Sequence, residues 1–269
     1  MSKLKQALEK AKKDRGELER GKVQSIEPVD SQTVHAPQRQ EKQLKPVYSI
    51  TKVIHCDADV LNKNRVISVC TRDEADRLKI LRTQILNTMS KEGRNTLMIT
   101  SANPGEGKTL TAINLAISFS HQFNKTVLLV DSVLRKPAVH QHLGLEDGPG
   151  LADCLVGKMT MMDGLVNPGM DRIVILRGGT PHTNSAELLG SQRMKDLLKE
   201  IKDRYPERFI IIDSSPVLTS ADPLVLANLV DGILLVVEAE KTKKEDVLRI
   251  LDMMKNKPII GTVFNKSLD

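Results

Sequence analysis

Aromatic residues are nearly missing from this chain: 4 Phe, 2 Tyr and no Trp among 269 residues. A core without large rings must be filled by Ile, Leu, Val, Met and Ala, which suits buried parallel strands between helices better than an all-β sandwich. Cysteine is scarce too. Cys56, Cys70 and Cys154 are odd in number and far apart, so they supply neither a disulfide framework nor a metal-ligand spacing. No apolar run approaches the roughly 20 residues needed to cross a bilayer, and charge begins at Lys3, with no apolar segment suited to a signal peptide. These absences lead us to expect a cytoplasmic protein. A strong excess of one charge sign is also lacking. The 40 Lys and Arg against 34 Asp and Glu leave a net +6, spread along the chain, so specific nucleic-acid binding is not expected. Weak attraction to a membrane surface or an acidic partner tail fits such a surplus better.

What is present divides into three parts. Residues 1–22 set Leu4, Leu8, Ala11 and Leu18 at helical spacing among dense charge, which predicts a short amphipathic helix. From residue 23 to 71 the chain is polar or without clear period and carries Pro28, Pro37 and Pro46; this is expected to be a largely disordered linker. The ordered domain is expected over 72–269. It opens on a helix with Ala75, Leu78, Leu81, Ile85 and Met89 on one stripe. Short β-branched runs then alternate with helical segments: NTLMITS, TVLLVDS, RIVILRGG, RFIIIDSS, DGILLVVEA and PIIGTVFNKS. Continuous apolar strands separated by helices predict an α/β fold, a doubly wound and mostly parallel sheet covered on both faces.

The first of these strands runs into Ala102-Asn103-Pro104-Gly105-Glu106-Gly107-Lys108-Thr109 and then into a helix from about Thr109 through Leu110. Strand, glycine-rich loop and helix are the context that a P-loop requires. Gly105 and Gly107 let backbone N–H groups turn toward phosphates, and the helix amino terminus adds its positive end. Lys108 should reach the β- and γ-phosphates of ATP, and the Thr109 hydroxyl should ligate Mg2+. Residues 103–110 are therefore the expected nucleotide contacts. Two more strands end in acids, TVLLVDS at Asp131 and RFIIIDSS at Asp213, and an acid at the carboxyl end of a parallel strand lies on the ligand-binding edge of such a sheet. Both are expected to hold the metal or its waters. Arg135 would bring positive charge toward a phosphate or an adjacent subunit. Asn265, ending the last strand, is a candidate contact for the adenine base. His140 and His142, two apart on one helix, point in different directions and are expected to be structural or solvent-facing.

Taken together, SANPGEGKT, VLLVDSVLRKPAVHQHLGL, GLADCLVGK, NSAELLGS and IIIDSSPVLTSADPLVLANLVDGILLVV resemble the bacterial tyrosine kinases of capsule and exopolysaccharide loci, over roughly residues 72–266. Asp76, Lys79 and Arg82 in DRLKILRTQI resemble that family's oligomerisation helix, with its usual Glu and first Arg conservatively replaced. SKLKQALEKA looks like the stand-alone kinases beside exosortase-linked polysaccharide genes. The resemblance implies transfer of the ATP γ-phosphate to tyrosine on the protein's own kind. It also implies a homo-oligomeric ring and activation by the cytoplasmic tail of a Wzz-like membrane polysaccharide chain-length regulator, which would bring the kinase to the inner membrane peripherally.

Two departures are visible. The family's second motif has two acids one residue apart, and here the second position is Val133, which can neither bind Mg2+ nor take a proton. The family usually ends in a tyrosine-rich tail, whereas the tyrosines here are Tyr48 and Tyr205. A catalytically poor ATP sensor of the polysaccharide machinery is therefore a second reading. A ParA/MinD-type ATPase is a third, but Asn103 stands where those ATPases carry a signature lysine.

Overall fold

The computed structural model describes residues 51–67, 72–89, 93–122 and 125–267. The expected helix over 1–22 and the linker as far as residue 50 lie outside them. The strands are β1 (Lys52–Val53), β2 (Thr96–Ser101), β3 (Thr126–Asp131), β4 (Leu165–Asn167), β5 (Ile173–Leu176), β6 (Arg208–Asp213), β7 (Gly232–Glu238) and β8 (Ile259–Asn265). They form one sheet in the order β1-β4-β5-β3-β6-β2-β7-β8. Only the β4–β5 pairing is antiparallel among them.

The helices are α1 (Ala58–Lys63), α2 (Arg72–Thr88), α3 (Lys108–Ser120), α4 (Val139–His142), α5 (Leu151–Leu155), α6 (Met161–Gly164), α7 (Ser185–Leu189), α8 (Gln192–Arg204), α9 (Asp222–Leu226) and α10 (Lys244–Met253). Strand side chains alternate between two cores, as the pleat requires. Leu97 and Ile99 of β2 join Val127 and Leu129 of β3 and Ile211 of β6, together with Ile113, Leu115 and Phe119 of α3. Met98, Leu128, Val130, Ile210 and Ile212 face Met194, Leu198 and Ile201 of α8 and Ile250 of α10. Phe119 and Phe209, half of the chain's phenylalanines, stack with centroids 4.3 Å apart and join α3 to β6. Because α3 is covered by the sheet on one side and by α2 on the other, nearly all its residues are buried, and it holds the phosphate loop on a rigid base.

Order begins earlier than the sequence led us to expect. Residues 51–67, assigned above to the linker, contain β1 and α1. Two observations explain it: Leu61 and Val66 are buried, and the Asn114 side chain of α3 accepts from Ile67 N (3.0 Å) and donates to the Arg65 carbonyl (3.1 Å). A short segment with two anchoring side chains carries too weak a period to be read as an element. Among the described residues, no helix is long and apolar enough to cross a membrane.

Candidate active site

Parallel register aligns the ends of three neighbouring strands. Ile99 of β2 lies opposite Asp213 of β6, and Asp213 lies opposite Asp131 of β3. Asp213 therefore stands between the strand that feeds the phosphate loop and the strand that ends in Asp131. The loop after β2 turns through Gly105 (φ +83°) and Gly107 (φ +96°), left-handed conformations that side chains disfavour. At Gly107 a Cβ would also lie 2.0 Å from the Asn265 amide nitrogen, so glycine is required twice over. Among the described residues, none accepts a hydrogen bond from the N–H groups of Gly105, Glu106 or Gly107. They are free to receive an anion at the start of α3.

Glu106 presents the wrong charge for a phosphate cup, and its side chain turns away. One carboxylate oxygen accepts from Ala102 N (2.8 Å) and the other from the Thr242 hydroxyl (2.6 Å). Its carbonyl accepts from the Asn265 side chain (2.9 Å), and the Gly105 carbonyl accepts from Lys266 Nζ (2.8 Å). Asn265 thus braces the loop from the β8 side. Asn103 lies in the same brace, its amide near Glu106 and Asp246 (3.4 and 3.3 Å). Pro104 is exposed, and Leu110 packs at the edge of the apolar cluster around α3. A glutamate between two phosphate-loop glycines was itself a readable sign that it must fold inward.

Lys108 Nζ lies 3.4 Å from the Thr109 hydroxyl. Asp213 is fully buried, and neither of its carboxylate oxygens, nor the neighbouring Ser214 hydroxyl, has a hydrogen-bond partner of good geometry. Burial pushes Asp213 up to about 7; the Lys108 charge pulls the other way, the Asp131 charge adds to the rise, and weak contacts from the Thr109 hydroxyl and the Ser214 N–H oppose it. A buried carboxylate left this way calls for a cation. With the Thr109 hydroxyl beside it, the donor set is all oxygen, as Mg2+ prefers. These residues fit the metal.

Asp131 is equally buried but fully engaged. Its oxygens accept from Val133 N (3.1 Å), Ala138 N (2.9 Å) and Val139 N (3.0 Å). Burial raises its pKa, and these three amides oppose the rise. Its neighbourhood continues into a cleft of about 510 Å3 lined by Arg135, Lys136, Pro137, His140, Thr180 and Pro181, among others. The exposed Arg135 donates from Nε to Ser185 Oγ (3.0 Å). His140 is 7% exposed, with Nε2 2.6 Å from Asp147. His142 is half-buried, and burial, then the Lys108 charge, lowers its pKa. Ser185, the buried partner of Arg135, and Asp222 behind it lie in the segments NSAELLGS and IIIDSSPVLTSADPLVLANLVDGILLVV, but nothing in their spacing announced that they would meet.

No family model matches the chain. It is 37% identical over 194 residues to tyrosine-protein kinase YwqD of Bacillus subtilis, covering 71% of this chain and 80% of that protein. It is 27% identical to a putative tyrosine-protein kinase, CapB, of Staphylococcus aureus, covering 71% and 84%. The kinase domain of the Escherichia coli tyrosine kinase ETK superposes with a TM-score of 0.66 at 29% identity, over 71% of this chain and 75% of that one. The cell-division ATPase MinD of Pyrococcus furiosus, at 23% identity and a TM-score of 0.54 over 65% and 74%, shares the fold. With 37% identity over 71% of its length and four fifths of a tyrosine kinase, and a phosphate loop beside two strand-end acids, the chain belongs to the bacterial tyrosine-protein kinase family.

Proposed function

We propose that the chain is an ATP-dependent protein tyrosine kinase that phosphorylates its own kind and regulates exopolysaccharide or capsule polymerisation and export. The observation that carries the site is the buried Asp213 carboxylate, without a hydrogen-bond partner of good geometry, between the phosphate loop and Asp131. In this reading, residues 103–110 hold the triphosphate, with Lys108 on its β- and γ-oxygens. Thr109 and Asp213 hold Mg2+, which would neutralise charge on the phosphates when bound. Asp131, expected above to hold the metal or its waters, has its oxygens taken by three backbone amides. In this reading it keeps the loop after β3 in place and lends its field, and Arg135 stabilises charge on the transferred group or meets a neighbouring subunit. Asn265 fixes the loop on the side where adenine would lie.

Of the two tyrosines, Tyr205 precedes β6, at the opposite end of that strand from Asp213, and Arg208 stacks on its ring at 3.8 Å. It is remote from its own site. That favours Tyr48, or a tyrosine on another protein, as acceptor. The oligomer and the chain-length regulator's tail belong to the same proposal. On α2, Asp76 and Lys79 pair on the surface at 2.7 Å, and Arg82 donates to the Ser118 carbonyl of α3. A subunit docked on α2 would thereby press on the helix that starts at the phosphate loop.

Purified protein incubated with Mg2+ and γ-labelled ATP should acquire label on tyrosine, and Lys108→Met should abolish it. Unchanged labelling in that variant would overturn the assignment. Val133 favours the poor-sensor reading as the second choice. If Val133→Asp raises transfer by about 10²-fold from a bare background, the sensor reading stands; strong labelling of the natural protein removes it.

A further inference from the structure

Asp222, the first residue of α9, is completely buried, and so is Ser185 at the start of α7. A carboxylate without solvent needs donors. Here the Ser185 hydroxyl gives one to Oδ1 (2.8 Å) and the Ser215 hydroxyl gives one to Oδ2 (2.9 Å). Arg135 Nε then donates to Ser185 Oγ (3.0 Å). The direction of this relay is forced: a guanidinium only donates, a carboxylate only accepts, and a serine hydroxyl has a single proton. Ser185 must therefore accept from Arg135 and donate to Asp222, linking an exposed cation to a buried anion through one oriented hydroxyl.

The same hub is tied to the phosphate loop. Ser215 lies two residues beyond Asp213, and its carbonyl accepts from the Thr100 hydroxyl (2.7 Å). Val217 N donates to the Ser101 carbonyl (2.9 Å) and Leu218 N to that of Ala102 (3.2 Å), where the loop begins. Arg135 is thus referenced, through Ser185 and Asp222, to the backbone that carries Asp213 and the phosphate loop.

We propose that Asp222, acting through Ser185, is a positioning residue that holds the Arg135 guanidinium in register with the phosphate site. The inference rests on the reading of Arg135 given above. A long arginine side chain on a surface loop samples many rotamers, and anchoring its Nε leaves the two terminal nitrogens pre-oriented for an oxyanion.

A double-mutant cycle on the full chain tests it, read as the rate of γ-phosphate transfer with Mg2+ and ATP. Arg135→Ala should lower kcat about 10²-fold. Ser185→Ala should lower it about 10-fold with little change in the KM for ATP. The double variant should be no slower than Arg135→Ala alone, because a group that acts through another has nothing left to act on. A Ser185→Ala rate equal to that of the natural protein, or a double-variant loss equal to the product of the two, overturns the proposal while leaving Arg135 in its role. An Arg135→Ala variant at full rate removes both.

A second measurement needs no turnover. In the ligand-free protein the Arg135 Nε–H resonance, assigned by its loss in Arg135→Ala, should be protected from solvent exchange. Protection should disappear in Ser185→Ala and Asp222→Asn variants that keep a cooperative melt. Protection that persists in both overturns the proposal.

Discussion

The ends of β3 and β6 invite comparison because their sequences are so alike: a run of apolar residues, then Asp-Ser, at register-matched positions on adjacent strands. Both acids are fully buried, yet Asp131 accepts three backbone hydrogen bonds while Asp213 has none of good geometry. The residues downstream of each acid make the difference. After Asp131 the chain folds back through Pro137 and presents the N–H groups of residues 133, 138 and 139 to the carboxylate. After Asp213 the Ser214 N–H donates to the Ile99 carbonyl (3.1 Å), Pro216 has no N–H, and the amides of Val217 and Leu218 are spent on β2 and the residue after it. Two near-identical strand ends thus yield one acid saturated by backbone amides and one whose oxygens lack well-formed protein partners.

The largest effect should come from removing the acid without a well-formed hydrogen bond. Asp213→Asn is expected to lower Mg2+-dependent phosphate transfer by at least about 10²-fold, without unfolding the protein, because the amide still offers an oxygen to the Thr109 hydroxyl and the Ser214 N–H and removes a buried charge. Labelling kinetics alongside a melting curve would check both halves. Transfer at the natural rate would break the comparison at its catalytic end. The expected result for Asp131→Asn is the reverse in kind. An amide there presents N–H groups to a pocket of N–H groups, which should cost about 1–3 kcal/mol in stability and lower transfer only as the loop holding Arg135 loosens. A variant as stable as the natural protein but as inactive as Asp213→Asn would make Asp131 a direct participant instead of a scaffold.

This division of labour was only half legible in the sequence. The six apolar strand segments all appear, because a buried parallel strand is a continuous apolar run. The phosphate loop and its helix are readable from glycine spacing. Both strand-end acids could be found, since an acid closing such a run has few other uses. Their different states could not be read, because those depend on amides up to eight residues further on and on the stitching of residues 215–218 to β2. The short β1 and β4 went unread for a related reason: strands of 2 and 3 residues carry no period, and their pairing is set by residues elsewhere in the chain. The hub of Ser185, Ser215 and Asp222 joins three loops through single side chains, each of which alone reads as a helix cap or a turn residue.

The smallest effect is a pH dependence to which both ends contribute. Burial holds Asp213 at about 7 in the folded protein, against a usual aspartate value near 3.9 in the unfolded chain. Between those values the folded state holds a proton that the unfolded state has lost. By linkage, stability in the absence of metal falls as pH rises through that window, by at most about 1.4 kcal/mol per pH unit, and levels off above 7. Asp131 is shifted in the same direction. Asp213→Asn should therefore flatten the slope between about pH 5.5 and 6.5 without abolishing it. Mg2+ with ATP, which binds the charged carboxylate, should flatten it in the natural protein as well. A slope that is unchanged in Asp213→Asn would mean that the buried charge being titrated is the one at the end of β3, and the contrast between the two acids would have to be reversed.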